Sequence, residues 1–154
     1  MARSGPMGGA MKPVQMLYLL ASDHGFRLVE NHEHGLREVK AAKAGDFSDV
    51  TFHFTSQRST SHGGGAGFAV DGPADKTEEE RSRLAEHAVA ALRAEWARGV
   101  HDRIVLVAGP KMLGALRHAL PAPLEGKVAG SLHKDLMKVP LHDLPGHFSD
   151  ISAV

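Results

Sequence analysis

The sequence predicts an α/β protein with a single mixed sheet, an amino-terminal antiparallel hairpin that continues as a meander, and flanking helices. Three observations predict this fold class. An apolar run followed by a tight turn opens the ordered part, an amphipathic helical pattern lies mid-chain, and a segment that is apolar on both faces follows that helix. The length of 154 residues suits one domain with a substantial core.

The first part of the sheet is predicted to be an antiparallel meander. Residues 16–21 form a continuous apolar run typical of a buried strand, residues 22–25 a tight turn, and residues 26–30 the returning strand. Residues 36–40 and 50–55 alternate apolar with polar side chains, as half-buried strands do. Four strands are therefore expected before the first helix.

A long loop and a long helix are predicted in the middle of the chain. Residues 55–76 are polar and rich in glycine, which predicts a mobile loop. Thr77 and Glu80 have the spacing of a capping box, so the helix is expected to begin there. An apolar stripe follows at helical spacing: Leu84, Ala88, Leu92 and Trp96. Gly99 stands where a left-handed terminating residue is expected, so the helix should end near Arg98.

The last third of the chain predicts a strand, a helix, a further strand and a short helix. Residues 103–108 hold five successive apolar side chains after Arg103, the mark of a central strand covered on both faces. Residues 109–110, Gly-Pro, begin the second helix. Its inward side chains are predicted to be Leu113, Leu116 and Leu120. Residues 127–132 are expected to form the last strand, and residues 141–148 a short terminal helix.

The composition excludes several classes of protein. Hydrophobic residues make up 42% of the chain and charged residues 23%, as in globular domains. Lysine plus arginine and aspartate plus glutamate number 18 each, so any contact with RNA must come from a local patch and not from general basicity. Cysteine is absent, which excludes disulfides and thiolate chemistry.

The amino-terminal segment carries no targeting pattern. Residues 1–12 are rich in glycine, serine and methionine without any period, which predicts a flexible leader before a single domain at residues 13–154. This leader lacks the apolar core of a signal peptide, and no apolar run in the chain reaches membrane-spanning length. A cytoplasmic location without a membrane partner is therefore expected.

Several motifs together resemble a known family. Residues 102–117 read Asp-Arg-Ile-Val-Leu-Val-Ala-Gly-Pro-Lys-Met-Leu-Gly-Ala-Leu-Arg, residues 134–136 read Lys-Asp-Leu, and the first strand ends in Ala-Ser-Asp at residues 21–23. These segments resemble the bacterial family named for attachment to host cells. The resemblance implies a fold similar to the middle domain of archaeal and eukaryotic class I release factors, an α/β layer of the ribonuclease-H-like or ribosomal-protein kind.

The glycine-rich loop is the first candidate site that the resemblance indicates. In release factors a Gly-Gly-Gln loop before a long helix reaches the peptidyl-transferase centre, and residues 62–67 hold a comparable place here. No glutamine follows the glycines, so peptidyl-tRNA hydrolysis is not expected. A glycine loop still allows close approach to a nucleic-acid backbone, and the alternative is a simple flexible connection. The candidate ligand-binding residues of this loop are His62, Gly63, Gly64, Gly65 and Gly67.

A local excess of basic residues between positions 111 and 138 is the second candidate site. Glu125 and Asp135 oppose the basic side chains there, and Lys134 and Asp135 are adjacent and able to pair. The candidate phosphate-binding residues are Lys111, Arg117, Lys134 and Lys138. Lys127 contributes to the basic excess but is not a candidate binding residue. Lys111 lies near the start of a predicted helix, where backbone amides also attract anions. The alternative is an ordinary solvated surface.

The sequence gives little support for metal binding, nucleotide binding or covalent catalysis. The His-Glu-His run at residues 32–34 places two imidazoles on one face of a strand, but no third ligand follows by spacing, so no metal is predicted. The sequence has neither a P-loop nor a dinucleotide fingerprint, so no cofactor is predicted. Ser22, Asp23 and His24 are neighbours in sequence, which is not how a triad converges, and Asp23 is predicted to fix the turn by accepting from backbone amides.

The sequence thus favours a non-catalytic binding protein with RNA or the ribosome as partner. The first alternative is a hydrolase of a translation-related or phosphate ester substrate, acting through Asp23 or His62. The second is a role in cell attachment, as the family name implies. Monomer and homodimer both stay open, because an exposed sheet edge pairs or is covered equally well.

Overall fold

A computed structural model describes residues 13–32, 35–51 and 71–153 of the protein. One mixed sheet of six strands runs through it, in the order β3-β2-β1-β4-β5-β6. The strands are β1 Met16–Ser22, β2 Gly25–His32, β3 Gly35–Lys43, β4 Arg103–Val107, β5 Val128–Leu132 and β6 Ser152–Ala153. The predicted α/β class with a single mixed sheet is confirmed.

Four α-helices accompany the sheet in these residues. They are α1 Asp71–Trp96, α2 Pro110–Ala119, α3 Ala122–Glu125 and α4 Leu144–Phe148, with 3-10 turns at Ala44–Asp46 and Leu141–Asp143. Prolines at positions 121 and 123 stop α2 as predicted, yet α3 forms at once, because proline is tolerated in the first turn of a helix. No helix in the described part of the chain is long and apolar enough to cross a membrane.

The predicted antiparallel meander is confirmed for its first three strands. β1 pairs with β2 across a two-residue turn, and β2 pairs with β3 with an irregularity after Leu28. Gly25 follows the turn where the backbone of β3 comes very close. A Cβ atom at this position would lie 2.2 Å from the carbonyl oxygen of Ala42. The turn therefore requires glycine at its exit.

The remaining strands extend the sheet in parallel. β4 lies beside β1 and β5 beside β4, both parallel, so β4 is the central strand that its apolar run predicts. β5 was predicted to be the last strand, and this is wrong. Ser152 and Ala153 return as β6, antiparallel to β5 at Gly130 and Ser131. Two residues carry too short a pattern to be recognised in sequence.

Helices α1 and α2 cover the first face of the sheet. Apolar side chains from both helices meet those of β1, β2 and β4 in the larger core cluster. The stripe predicted for α1 is buried at Leu84, Ala88 and Leu92, and α2 buries Leu113 and Leu116. Gly99 adopts φ +75° just after α1, as a helix-terminating glycine does.

The carboxyl-terminal segment, residues 136–151, covers the second face. Leu136 and Leu144 pack there against Leu20, Val105 and Val107. Arg27 fixes the segment, since its Nη1 donates to the carbonyl oxygens of residues 136, 137 and 139 at 3.1, 3.2 and 2.8 Å. Its Nε donates to Glu38 Oε1 at 2.8 Å.

Helix α1 begins earlier in the chain than the sequence predicts. The helix begins at Asp71 and not at Thr77, so residues 71–76 of the predicted loop are helical, and the rest of that loop lies outside the described residues. Capping-box spacing equals about one helical turn and therefore also occurs inside helices. The buried Glu80 instead accepts the Thr51 backbone N–H and a bond from Arg83.

The fourth predicted strand, residues 50–55, does not form at the two of its positions that the structure describes. Val50 and Thr51 belong to no strand. Val50 is buried and Thr51 is held by Glu80, so tertiary contacts fix this stretch where a ladder was expected. The other residues of that prediction lie outside the described part of the chain.

Candidate functional site

A crevice opens at the carboxyl ends of the parallel strands β1 and β4. The chain leaves β1 towards β2 on one side and leaves β4 towards β5 on the other. Neighbouring parallel strands whose connections diverge leave a crevice between them, which is the usual ligand position in α/β sheets. Here it measures about 480 Å³, and its walls include Asp23, His24, Arg81, Gly109, Lys111 and Asp135.

An ion pair between the hairpin turn and α1 forms one wall of the crevice. Arg81 donates from Nε to Asp23 Oδ1 at 2.9 Å and from Nη2 to Asp23 Oδ2 at 3.0 Å. The Arg81 side chain is 11% exposed and that of Asp23 is 32% exposed. The role predicted for Asp23 in fixing the turn is wrong, because the Ser22 hydroxyl accepts the His24 backbone N–H instead, at 3.0 Å.

The amino terminus of α2 forms the facing wall. Gly109 is the N-cap residue and offers no side chain to cap the helix, and Pro110 fills the first helical position. The backbone N–H groups of Lys111 and Met112 therefore have no acceptor within the helix. These groups carry partial positive charge, and the exposed Lys111 ammonium adds a full one. In the described residues Lys111 Nζ makes no ion pair.

The crevice continues into a groove between α1 and α2. A second depression of about 330 Å³ shares Arg81, Pro110 and Lys111 with the crevice. Glu78 and Gly114 lie farther along it. The two basic side chains, Arg81 and Lys111, thus line both depressions.

Asp135 is the remaining acid of the crevice, and it is engaged in a local turn. Its Oδ1 accepts the Met137 backbone N–H at 3.1 Å. With Asp23 on Arg81 and Asp135 on a backbone amide, Lys111 is the crevice cation that forms no ion pair with a described side chain. The two acids and two cations of the crevice balance in formal charge, and its positive end is the amino terminus of α2, where the Lys111 ammonium adds to the helix dipole.

A second cluster of charged residues occupies the opposite, amino end of the same strands. His101 Nε2 lies 2.8 Å from Glu30 Oε1, and Arg37 binds the other carboxylate oxygen of Glu30. Glu95 lies 3.9 Å from His101 Nε2 and pairs with Arg98. The Glu30 and His101 side chains are only 6% and 2% exposed. These five residues form the amino-end network.

The hydrogen bonds of this network control the ionisation of Glu30. Burial by itself raises the pKa of this carboxyl group, but hydrogen bonds from His101 and Arg37, together with their charges, lower its pKa overall. Glu30 is therefore held as a carboxylate. A buried carboxylate of this kind needs its partners in place.

The amino-end network offers metal-ligand atoms but does not suit a metal ion. Glu30, Glu95 and His101 present such atoms within 4.8 Å of one another. Arg37 and Arg98 already neutralise the two carboxylates. A metal-bound histidine also usually donates from its second nitrogen, whereas His101 Nδ1 is buried and meets no hydrogen-bond partner in the described residues. The arrangement is that of a hydrogen-bonded network around a buried carboxylate.

The predicted basic residues occupy separate surroundings. Lys111 lies in the crevice, whereas Lys138 lines another depression beside Glu38. Arg117 donates to Ser131 Oγ at 3.2 Å. Lys134 pairs with Asp150 at 2.9 Å and not with Asp135, so that suggested pair is wrong. The structure brings one of these residues, Lys111, into the crevice.

Other predicted residues fall outside the described residues. These are His62, Gly63, Gly64, Gly65, Gly67 and His34. His32, the other imidazole of the His-Glu-His run, lines the depression beside the amino-end network. The glycine-rich segment therefore stays a prediction, and only its neighbour α1 is placed.

Sequence reasoning missed Arg81. It lies 58 residues from Asp23, and no spacing rule joins a turn to a distant helix. Glu30 and His101 were also missed, although a signal existed for one of them. Glu30 directly follows the apolar Leu28 and Val29 in its strand, and an acid next to the buried part of a strand needs a partner.

Fold and site together define an α/β protein with a crevice at the carboxyl ends of its central parallel strands. The family described as "Protein required for attachment to host cells" matches residues 19–148, and the chain belongs to this family. This confirms the family that the motifs indicated, while the likeness to release factors stays a prediction. The match includes the crevice residues from Asp23 to Asp135.

Other comparisons add little to the family assignment. No curated protein matches the chain. Among solved structures, one titled "Archaeal protein" aligns with 88% of this chain at 10% identity and a TM-score of 0.46. The chain spans 36% of the length of that archaeal protein.

Proposed function

We propose that the protein is a non-catalytic binding module that takes a phosphate-bearing partner in the crevice, and that this partner is RNA on the ribosome. The observation that carries the proposal is the positive wall at Lys111. There the Lys111 ammonium, which pairs with no acid among the described residues, stands beside backbone amides that have no acceptor within the helix. Lysine and amide N–H groups are the usual donors to phosphate oxygens.

The shape of the surface supports a polymeric ligand. The crevice and the α1–α2 groove adjoin each other, since Arg81 and Lys111 line both. A single phosphate would fill only a small part of the two volumes, whereas a strand with repeated phosphates would follow them. Because the whole chain has no net charge, such binding depends on a few local contacts and should be sensitive to salt.

The crevice supports a hydrolase less well. Asp23 is committed to Arg81 through both carboxylate oxygens, so it is poorly placed to activate water or a nucleophile. Ser22 Oγ accepts a backbone N–H within its own turn. The family description names attachment, which is a cellular outcome and not a reaction. A binding role is compatible with that description.

The test is co-sedimentation of the full chain with ribosomes at low and moderate salt. Lys111→Glu reverses the charge at the proposed phosphate contact, and Lys127→Glu makes the same charge change at the amino end of β5 as a matched control. We expect Lys111→Glu to abolish co-sedimentation at moderate salt, while Lys127→Glu behaves as the wild type. Equal behaviour of the two variants would remove the crevice from the proposal.

A third variant tests the glycine-rich segment separately. Replacing Gly63, Gly64 and Gly65 by alanine keeps every charge and removes only the freedom of close backbone approach. Loss of co-sedimentation in this variant would add the segment to the interface. A wild-type result would confine the interface to the crevice and groove, and absence of co-sedimentation for the wild type at low salt would contradict the proposal as a whole.

A further inference from the structure

We propose that Asp23 is an internal competitor for the anion site, whose carboxylate occupies the Arg81 donors that an incoming phosphate group takes. This inference rests on the proposed function. Arg81 is then the second phosphate-binding residue, and Asp23 is the group that the ligand displaces. Ligand binding and the Asp23–Arg81 ion pair are then mutually exclusive.

The geometry of the pair is that of ligand recognition by arginine. Nε and Nη2 of Arg81 each donate to a different oxygen of Asp23, at 2.9 and 3.0 Å. This two-pronged arrangement suits a carboxylate or a phosphate equally well. The Asp23 carboxylate therefore occupies the position in which a phosphate would make the same two bonds.

The two partners differ in how firmly they are held. Arg81 belongs to a 26-residue helix, three residues before the fully buried Leu84, and its own side chain is 11% exposed. Asp23 lies in a two-residue turn with one-third of its side chain exposed. When a ligand arrives, the arginine stays and the aspartate moves.

The turn does not depend on the Asp23 side chain. The ladder closes at Ser22 and Gly25, and the bond inside the turn joins the His24 N–H to Ser22 Oγ. Asp23 can thus rotate into water without breaking a hydrogen bond of the hairpin. Its departure also removes a negative charge from the crevice in which Lys111 stands, so Arg81 and Lys111 become available together.

This arrangement predicts an unusual gain of affinity. Asp23→Asn removes the competitor, so the protein should bind a labelled single-stranded RNA oligonucleotide about fivefold more tightly than the wild type, the worth of about one partly exposed ion pair. Asp150→Asn is the matched control, since it makes the same charge change in an exposed ion pair with Lys134. The control should bind as the wild type does. Fluorescence anisotropy measures both affinities.

The double variant separates competition from a general change of charge. In an Arg81→Gln background, binding should be weaker, and Asp23→Asn should no longer improve it. Equal affinities for Asp23→Asn and Asp150→Asn would overturn the inference and leave the proposed function intact. So would a gain for Asp23→Asn that persists without Arg81.

Inorganic pyrophosphate serves as a second probe that does not depend on RNA. If neither the wild type nor any variant binds RNA, the proposed function fails. A tighter pyrophosphate complex for Asp23→Asn than for Asp150→Asn, measured by calorimetry, would still support the competitor. Equal pyrophosphate affinities would overturn it.

Discussion

The two ends of the central parallel strands use similar side chains in opposite ways. At the amino end, Glu30 and His101 are almost fully buried within a network that includes two arginines. At the carboxyl end, Asp23 and Arg81 form a pair that borders an open crevice, with an exposed Lys111 opposite. Both ends join an acid of the meander to a basic side chain from elsewhere, but the acid is buried at the amino end and borders the open crevice at the carboxyl end.

Burial, more than residue type, determines how strongly each of these charged interactions stabilises the fold. Removing one partner from a buried pair leaves an uncompensated charge in a poor solvent, so the pair is rigid. A pair in contact with water contributes little, because water replaces either partner at small cost. The amino end therefore fixes the sheet, whereas the proposed exchange of partners concerns the carboxyl end.

The largest expected effect is the loss of Glu30. Glu30→Gln removes the charge that His101 and Arg37 share, and the free energy of unfolding should fall by about 3 kcal/mol. Urea denaturation followed by circular dichroism measures the change. A loss as small as that for Asp23→Asn would mean that the buried network stabilises the fold no more than the exposed pair does.

The second effect concerns the geometry of the carboxyl end. Gly25→Ala introduces a Cβ atom 2.2 Å from a backbone oxygen of β3, so the strand must shift and the unfolding free energy should fall by about 2 kcal/mol. Gly45→Ala is the matched control, since a Cβ atom there has no neighbour within 4 Å in the described residues. Equal melting temperatures for the two variants would show that the turn exit tolerates a side chain.

The third effect is a pH dependence of the amino end. The pKa of Glu30 is lowered from its ordinary value of 4.5, so its contribution is complete above pH 4.5 and is lost as the pH falls through the lower, folded-state pKa. The difference in unfolding free energy between the wild type and Glu30→Gln should therefore shrink as urea titrations are taken from neutral pH into acid. A constant difference would mean that the charge of Glu30 is not what stabilises the fold.

The smallest effect is expected for the pair at the carboxyl end. Asp23→Asn should lower the unfolding free energy by about 1 kcal/mol or less, because water solvates the exposed side of this pair. The same urea titrations provide the measurement. A loss above about 2 kcal/mol would show a structural pair of the amino-end kind and would leave no room for exchange with a ligand.

Much of the fold was predictable because its signals are local. The hairpin at residues 16–30 has an apolar run and a turn beside each other, and β4 is apolar at every position after Arg103. The start of α1 was misplaced by six residues, because Thr77 and Glu80 satisfy a capping pattern that helix interiors also satisfy. The brief β6 exists only through its pairing with β5.

The candidate site was predictable only at Lys111. A lysine directly after the Gly-Pro start of a helix is a local signal for anions. The basic residues between positions 111 and 138 were predicted to share one face. They lie instead on a helix and in loops, in separate surroundings. Arg81 meets Asp23 only through the packing of α1 on the sheet, which no spacing in the sequence records.

The segment that covers the second face of the sheet, residues 136–151, is also synthesised late. Translation proceeds from the amino terminus, so β1, β2, β4 and β5 are synthesised before residues 136–151. A chain synthesised only as far as β5 can cover the first face of its sheet with α1 and α2, while Leu20, Val105 and Val107 on the second face are still exposed. During that interval the nascent chain presents a bare apolar sheet, the kind of surface on which misassembly and chaperone capture occur. The backbone carbonyl groups that Arg27 binds are then among the last parts of the core to arrive.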